Sequence, residues 1–199
     1  MSSSMWIPHG LIRTPQMEVL YRQARSLVDP YGNTAQETED RSLRLFTQLL
    51  AKYIFSGNNY AVMPGPPPTI VGQESSDLAV EWCTAQMEFQ VLCFVEAKMP
   101  DNVLTPRVAY LEEQARSHCA QLLQRNPSYK RAYACTIVGT FIRCWMVELD
   151  DGNLEMTGLW PWFQNGTFQH YLDVGVEANR AYLERAFNQM KNHPPSRTH

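Results

Sequence analysis

The sequence contains no apolar run that approaches the roughly 18 residues of a membrane-spanning helix. Its N-terminus also lacks the hydrophobic region of a secretory signal peptide. These two absences predict a soluble intracellular protein, in the cytoplasm or the nucleus, that does not contact membranes. An excess of basic charge is missing as well, since the formal net charge is −3. This balance argues against a broad polybasic surface, so any contact with nucleic acid would use a local groove.

Cysteine spacing typical of metal or redox sites is also absent. The cysteines form no Cys-x-x-Cys pair, their number is odd, and most of them lie inside apolar runs. The five are Cys83, Cys93, Cys119, Cys135 and Cys144. This pattern predicts small core residues in a reducing compartment, and it argues against both a zinc site and a disulfide framework.

The composition that is present is that of an ordinary globular protein, with 44% hydrophobic and 19% charged residues in a chain of 199. No internal repeat or second apolar core divides the chain. We therefore predict one domain over residues 34–191. Residues 1–33 are predicted to form an N-terminal arm and a short helix, and residues 192–199 a loose tail.

Apolar periodicity predicts helices and strands in the order typical of an α/β fold. Thr34 and Glu37 have the spacing of a capping box at the start of the long first helix of the domain. The predicted elements are a short helix from Pro15 to about Val28, a long helix from Thr34 to about Phe55, strands at Tyr60–Met63, Leu78–Trp82 and Phe89–Lys98, a helix from about Pro106 to Gln124, strands at Tyr133–Val138 and Phe141–Leu149, and a helix from about Phe168 to Met190.

Acidic side chains occur at one end of the predicted hairpin of the second and third strands. The strand Phe89–Lys98 is apolar over most of its length and ends in Glu96 and Lys98, which share one face because strand side chains alternate. Taken alone, these two charges would indicate a sheet edge. Asp77, however, begins the preceding antiparallel strand, so it falls at the same end of the sheet as Glu96.

A further acid lies on the long helix. The helical stripe of Leu43, Phe46 and Leu50, with Tyr53 and Ile54, extends back to Glu39, which is four residues before Leu43. The periodicity therefore predicts that Glu39 faces the core side of its helix.

An Asp followed by a hydrophobic strand that ends in Glu-x-Lys, within the order helix, three strands, helix, strand, resembles the PD-(D/E)XK nuclease superfamily. The resemblance covers about residues 34–140. Ser76 stands where the family name has Pro. The resemblance implies an α/β fold with a restriction-endonuclease-like αβββαβ core, in which helices flank a mixed central sheet, here with additional N- and C-terminal helices.

The family resemblance also implies an activity, the metal-dependent hydrolysis of phosphodiester bonds in DNA or RNA. Mg²⁺ or Mn²⁺ would be held by Asp77, Glu96 and the backbone carbonyl of Ala97, because hard cations prefer oxygen ligands. Lys98 would polarise the attacking water or stabilise the developing charge. Glu39 would bind a second metal ion or orient a water.

Two other features have open roles. One branch of the family has a Gln followed four residues later by Tyr on the helix after the Glu-x-Lys strand. Here Gln114 is followed by His118, which we expect to pack on the sheet. The aromatic group Trp160, Trp162 and Phe163 is either a base-stacking platform or a plug at one end of the core, and the plug is favoured.

The sequence leaves two alternatives to a nuclease. The first is a binding or regulatory module that has kept the fold and lost hydrolysis. The second is a site adapted to a small-molecule reaction, although no cofactor signature supports it. A homodimer is also left open.

Overall fold

The computed structural model describes residues 6–25, 35–65, 76–98, 105–150, 152–160 and 166–195, without the side chains of residues 35–39 and 105–107. Its α-helices are α1 (Pro15–Arg25), α2 (Ala35–Leu49), α3 (Thr105–Arg125) and α4 (Arg180–Asn192). Its strands are β1 (Tyr60–Pro64), β2 (Leu78–Cys83), β3 (Phe89–Lys98), β4 (Arg131–Val138), β5 (Phe141–Asp150), β6 (Asn153–Gly158) and β7 (Leu172–Asp173).

The strands form one mixed sheet in the order β1-β2-β3-β4-β5-β6, and β7 pairs with the part of β5 that β6 leaves open. Among the strands that the structure describes, only β3 and β4 pair in parallel, and α3 supplies the crossover between them. The predicted mixed α/β architecture is therefore present. The strand Phe89–Lys98 has the bounds that the sequence predicts.

Helices cover both faces of the sheet. One face, which includes Val95 and Ile137, packs with α1, α2 and α4 in the largest apolar cluster. The other face, which includes Phe94 and Trp145, packs against α3. Glu96 and Lys98 alternate with Val95 and therefore lie on the α3 face.

The stripe predicted for the long helix is only partly correct. Phe46, Leu50 and Ile54 are buried, but Tyr53 is 37% exposed. The cause is a π-helical turn over Leu50–Ile54, which widens the last turn and rotates Tyr53 away from the core. The predicted capping box of Thr34 and Glu37 lies outside the described residues.

The C-terminal third differs most from prediction. The predicted helix from Phe168 begins only at Arg180, and residues 168–179 form two 3₁₀ turns around the short strand β7. No strand was predicted after the turn at residues 150–153, yet β6 continues the sheet there. Tertiary hydrogen bonds override local helical periodicity in this segment.

Asp173 shows how this override works. Its buried carboxylate accepts hydrogen bonds from the hydroxyls of Tyr21 and Thr140 and from the backbone N–H of Gly175. Gly175 lies so close to the Tyr21 ring that an added Cβ would overlap it. These contacts fix an extended chain where local sequence alone favours a helix.

Four of the five cysteines are buried and Cys83 is half-buried, and all five are free thiols. Trp160 is buried in the largest cluster, which agrees with the predicted plug, and its N–H donates to the carbonyl of His170. Trp162 and Phe163 lie outside the described residues. No helix in the described ranges is both long and apolar enough to cross a membrane.

His9 clamps the segment before α1 to the rest of the domain. Its Nδ1 lies 2.6 Å from the carbonyl oxygen of Gly175, and its Nε2 lies 2.7 Å from a carboxylate oxygen of Glu18. Both neighbours are acceptors, so both ring nitrogens donate and the imidazolium form is favoured. The hydrogen bond to Gly175 and the pairing with Glu18 raise the pKa of His9, although burial opposes the rise.

We expect the stability of this clamp to fall as pH rises. Because the pKa of His9 is raised in the folded protein, its contribution to the free energy of unfolding is complete below the pKa of the unfolded chain, near 6.5. This contribution is lost as pH rises through the folded-state pKa. An NMR titration should give His9 a pKa above 6.5, and Glu18→Gln should lower it. His9→Ala should cost roughly 1 kcal/mol at pH 6 in urea unfolding. An equal cost at pH 6 and pH 9 would contradict this role.

Candidate active site

The strand register places four polar residues in a line across the α3 face of the sheet. Leu78 pairs with Val95, so Asp77 before β2 lies opposite Glu96. Glu96 pairs in turn with Thr136, and Thr136 with Arg143. Directly paired residues point to the same face. We call Asp77, Glu96, Thr136 and Arg143 the polar row.

Asp77 is held at the head of β2 by neighbouring backbone. Its Oδ2 accepts a hydrogen bond from the N–H of Ala97 at 2.7 Å. Its own carbonyl accepts from the N–H of Gly65 at the end of β1. Gly65 packs directly on Ser76, where an added Cβ would overlap the Ser76 carbonyl oxygen. The structure therefore places Asp77 next to the end of β3, where the sequence predicts it.

Glu96 is nearly fully buried, at 4% exposure, and pairs with a histidine from α3. Its Oε1 lies 2.8 Å from Nδ1 of His118, which donates the hydrogen bond. Burial raises the pKa of Glu96, and the negative charge of Asp77 adds to the rise, whereas His118 and Lys98 oppose it. Oε2 accepts no hydrogen bond from any described residue and remains available to a ligand.

His118 packs on the sheet, as predicted, with its ring centroid 5.7 Å from that of Phe94. Its hydrogen bond to Glu96 was not predicted. Helical spacing puts Gln114 one turn before His118 on α3, but only the sheet register shows that His118 reaches Glu96 rather than a neighbouring strand.

Lys98 lies half-buried on the same face of β3 as Glu96. Within the described ranges it forms no ion pair with Asp77 or Glu96. Glu39 belongs to α2, but its side chain lies outside the described part of the structure, so its predicted approach to the site stays a prediction. The structure thus brings together Asp77, Glu96, Lys98 and, in addition, His118.

Arg143, at the end of the polar row, forms a second buried cluster that sequence reasoning missed. It is fully buried, and its Nη1 lies 3.6 Å from Oε1 of Glu112 on α3. Its guanidinium carbon lies 3.9 Å from the centre of the Trp145 ring. Burial lowers the pKa of Arg143 and raises that of Glu112. The available signal was an arginine between apolar neighbours in a strand, which indicates a buried ion pair.

Thr136 links this cluster to the middle of the row. Its hydroxyl lies 2.7 Å from the hydroxyl of Tyr171 and accepts a hydrogen bond from the indole N–H of Trp145. The Tyr171 hydroxyl also donates to Glu112. In this half of the polar row Thr136 is engaged by hydrogen bonds, and Arg143 by its ion pair and its ring contact. The end with Asp77 and Glu96 is therefore the better candidate for binding a ligand.

At the Asp77 and Glu96 end of the polar row, the oxygen ligands supply part of the coordination shell of a hard divalent cation. Among the residues described, no group of three or more His, Cys, Asp and Glu side chains is arranged to hold a metal ion. Two carboxylates from paired strand positions are present, and one Glu96 oxygen is available. Mg²⁺ is commonly bound by one or two carboxylates, with waters and substrate oxygens completing its shell. The residues therefore fit a Mg²⁺ or Mn²⁺ ion that relies on water and substrate for several ligands.

Comparison with known proteins finds no family model and no curated protein that matches the chain. Among solved structures, a cryo-EM structure of a DrdV–DNA complex is similar, with a TM-score of 0.45 and 13% sequence identity. The likeness covers 90% of this chain and 14% of that one, so this chain spans about a seventh of its length. No family membership follows. A likeness this weak establishes neither the fold family nor an activity.

Proposed function

We propose that the protein hydrolyses phosphodiester bonds of DNA or RNA with Mg²⁺ or Mn²⁺, at a PD-(D/E)XK-like site formed by Asp77, Glu96 and Lys98. The observation that carries the proposal is the position of Asp77 opposite Glu96 at the strand ends, where Asp77 accepts from the N–H of Ala97 and Glu96 bonds to His118 through Oε1. The order α2, β1, β2, β3, α3, β4 also supports the proposal, because an αβββαβ order is what the resemblance to that superfamily implies.

Each residue has a role that follows from its position. Asp77, Glu96 and the Ala97 carbonyl would hold the ion, and Lys98 would place its ammonium beside a bound phosphate. When bound, the ion would lower the pKa of a coordinated water and neutralise charge on the phosphate. The Lys98 ammonium would stabilise negative charge that grows on the phosphate oxygens during attack. Glu39 on α2 is proposed as a ligand of a second ion or as a group that orients water.

The direct test is cleavage of supercoiled plasmid and of single-stranded DNA and RNA. Wild-type protein should cleave at least one of them with Mg²⁺ or Mn²⁺ and should be inactive in EDTA. Lys98→Met should lower the rate about 100-fold, because it removes a positioned charge from the transition state. Lys130→Met is the matched control, since Lys130 is exposed before β4. Cleavage in EDTA, or equal rates for both variants, would refute the proposal.

His118 is proposed as the residue that positions Glu96. Its hydrogen bond holds Oε1, which leaves Oε2 to bind the ion, and such outer partners commonly change metal affinity 10- to 100-fold. We expect His118→Leu to weaken Mn²⁺ binding about 10-fold in calorimetry. His118→Asn keeps an N–H near the Nδ1 position and should restore much of the affinity. If Leu and Asn bind Mn²⁺ alike, the hydrogen bond has no such role.

A second candidate function is a binding or regulatory module without hydrolysis. The burial of Glu96 and its pairing with His118 favour it, because a carboxylate that is covered and already bonded to a histidine is poorly exposed to metal ions in solvent. Under this alternative, calorimetry should detect no Mn²⁺ binding to wild-type protein. Binding of nucleic acid without any cleavage would support the module over the nuclease.

A further inference from the structure

Three cysteines lie side by side on the sheet face opposite the polar row. Cys93 on β3, Cys135 on β4 and Cys144 on β5 are each at most 1% exposed. The Sγ atom of Cys135 lies 3.5 Å from that of Cys93 and 3.5 Å from that of Cys144. We call these three residues the thiol row. Cys135 is its centre and has a thiol neighbour on each side.

The β4–β5 register gives Cys135 and Cys144 the spacing of a cross-strand disulfide. Val138 and Phe141 close a two-residue turn in which Gly139 has a φ of +63°. The closing pair of such a hairpin is hydrogen-bonded, and the pairs alternate from there along the strands. Cys135 and Cys144 are the fourth pair and are therefore not hydrogen-bonded to each other. Pairs of this kind have Cα atoms about 4.5 Å apart, within the range that a disulfide requires.

We propose that the thiol row is an oxidation site, in which hydrogen peroxide or a small disulfide converts Cys135 and Cys144 into a disulfide and Cys93 is the exchange partner. With peroxide, the Cys135 thiolate attacks one oxygen, the O–O bond breaks and hydroxide leaves. The Cys144 sulfur then attacks the resulting sulfenic acid, and water leaves as the S–S bond forms. Two thiols and one peroxide thus give one disulfide and two waters.

Cys135 is the thiol best suited to react first. A thiolate at Cys135 can accept hydrogen bonds from two neighbouring thiols, each with its Sγ atom 3.5 Å away, whereas Cys93 and Cys144 each have one neighbour within the row. The thiolate is the nucleophilic form of cysteine. Its central position also allows exchange, in which the Cys93 sulfur attacks Cys135 and expels the Cys144 thiolate.

The bridge would tie together strands that carry the polar row. Cys135 directly precedes Thr136, and Cys93 lies three residues before Glu96 on β3. A bridge from Cys135 to Cys144 joins β4 to β5, and exchange moves it to join β4 to β3. We expect either bridge to raise the urea midpoint of unfolding, because it constrains the unfolded chain.

The test uses the full chain in two arms. In the first, native protein is treated with hydrogen peroxide. In the second, protein refolds from urea in a glutathione redox buffer, so that the oxidant meets the thiols before the core closes. Wild-type protein should lose the mass of two hydrogen atoms in at least the second arm. Trypsin cuts after Arg143, so the bridge should link the peptide with Cys135 to the peptide that begins at Cys144.

Serine variants make the outcome specific. Cys83→Ser is the matched control and should form the same bridge, since Cys83 lies outside the thiol row. Cys144→Ser should shift the link to Cys93 and Cys135, and Cys135→Ser should abolish both links. The proposal is overturned if wild-type protein keeps its mass or only gains oxygen in both arms, or if Cys135→Ser still forms a bridge between its neighbours as readily as wild type. Those results would show that the thiols only pack.

Discussion

Replacing Glu96 by Gln should lower the rate of Mg²⁺-dependent phosphodiester cleavage roughly 10³-fold. The change keeps the shape of the side chain but replaces a charged carboxylate oxygen by a neutral amide oxygen. An ion held by only two carboxylates depends strongly on each of them. Measured single-turnover rates on the preferred substrate at saturating metal would give this ratio directly.

The same change should not destabilise the protein at neutral pH. Burial raises the pKa of Glu96, so the protonated side chain is favoured in the folded state. Its contribution to the free energy of unfolding is therefore present below the unfolded pKa and is lost as pH rises through the folded-state pKa. At pH 7 the buried charge therefore opposes folding, and a neutral amide removes that cost. Urea unfolding of Glu96→Gln should show equal or greater stability than wild type.

The matched control for this prediction is Glu155→Gln, because Glu155 is exposed on β6, away from the polar row. It should retain the wild-type rate. Loss of activity together with loss of folding in Glu96→Gln would assign a structural role to Glu96. Equal rates for Glu96→Gln and wild type would show that Glu96 holds no catalytic ion.

Replacing Arg143 by Met should cost about 3–5 kcal/mol of folding free energy, which is the usual effect of removing one partner of a buried ion pair. Arg143 is fully buried against Glu112 and Trp145. Without it the Glu112 carboxylate would remain in the interior without its cation. The free energy of unfolding from urea titrations at pH 7 measures the loss.

Two further variants separate charge from packing. Arg143→Met combined with Glu112→Gln should recover a large part of the loss, because the Gln oxygen can accept from the N–H of Gly166 while the Gln amide N–H donates to the hydroxyl oxygen of Tyr171. Arg116→Met breaks an exposed pair with Glu113 and should change stability by less than about 0.5 kcal/mol. A cost below about 1 kcal/mol for Arg143→Met would contradict a buried, charged pair.

Much of the fold could be predicted from sequence where local pattern and tertiary structure agree. The strand Phe89–Lys98 was predicted with its observed bounds because a long apolar run between a turn and two charges has few other interpretations. The segment before α4 could not be predicted in this way. There the partners of Asp173 come from α1 and from the β4–β5 turn, which are distant in sequence.

The same distinction applies to the candidate site, where local pattern predicts the positions of some residues and only tertiary packing determines those of others. Alternation along β3 sufficed to place Glu96 and Lys98 on one face, and the hairpin placed Asp77 beside them. The hydrogen bond from His118 depends on the angle and height at which α3 crosses the sheet, which local periodicity does not determine. The pairing of Arg143 with Glu112 depends on the same packing.

The thiol row shows that predicting which cysteines are buried does not predict which of them lie next to one another. The cysteines were predicted as core residues, and four of them are buried. Their alignment across three strands follows from two registers, parallel between β3 and β4 and antiparallel between β4 and β5. Neither register is visible in the spacing of the cysteines along the chain.

The most direct test of the proposed metal site is a crystal structure of the protein soaked in Mn²⁺, with anomalous diffraction used to locate the ion. We predict an anomalous peak about 2.2 Å from a carboxylate oxygen of Asp77 and from Oε2 of Glu96, with His118 still bonded to Oε1. Absence of a peak at Asp77 and Glu96, at Mn²⁺ concentrations that support cleavage, would contradict the proposed metal site.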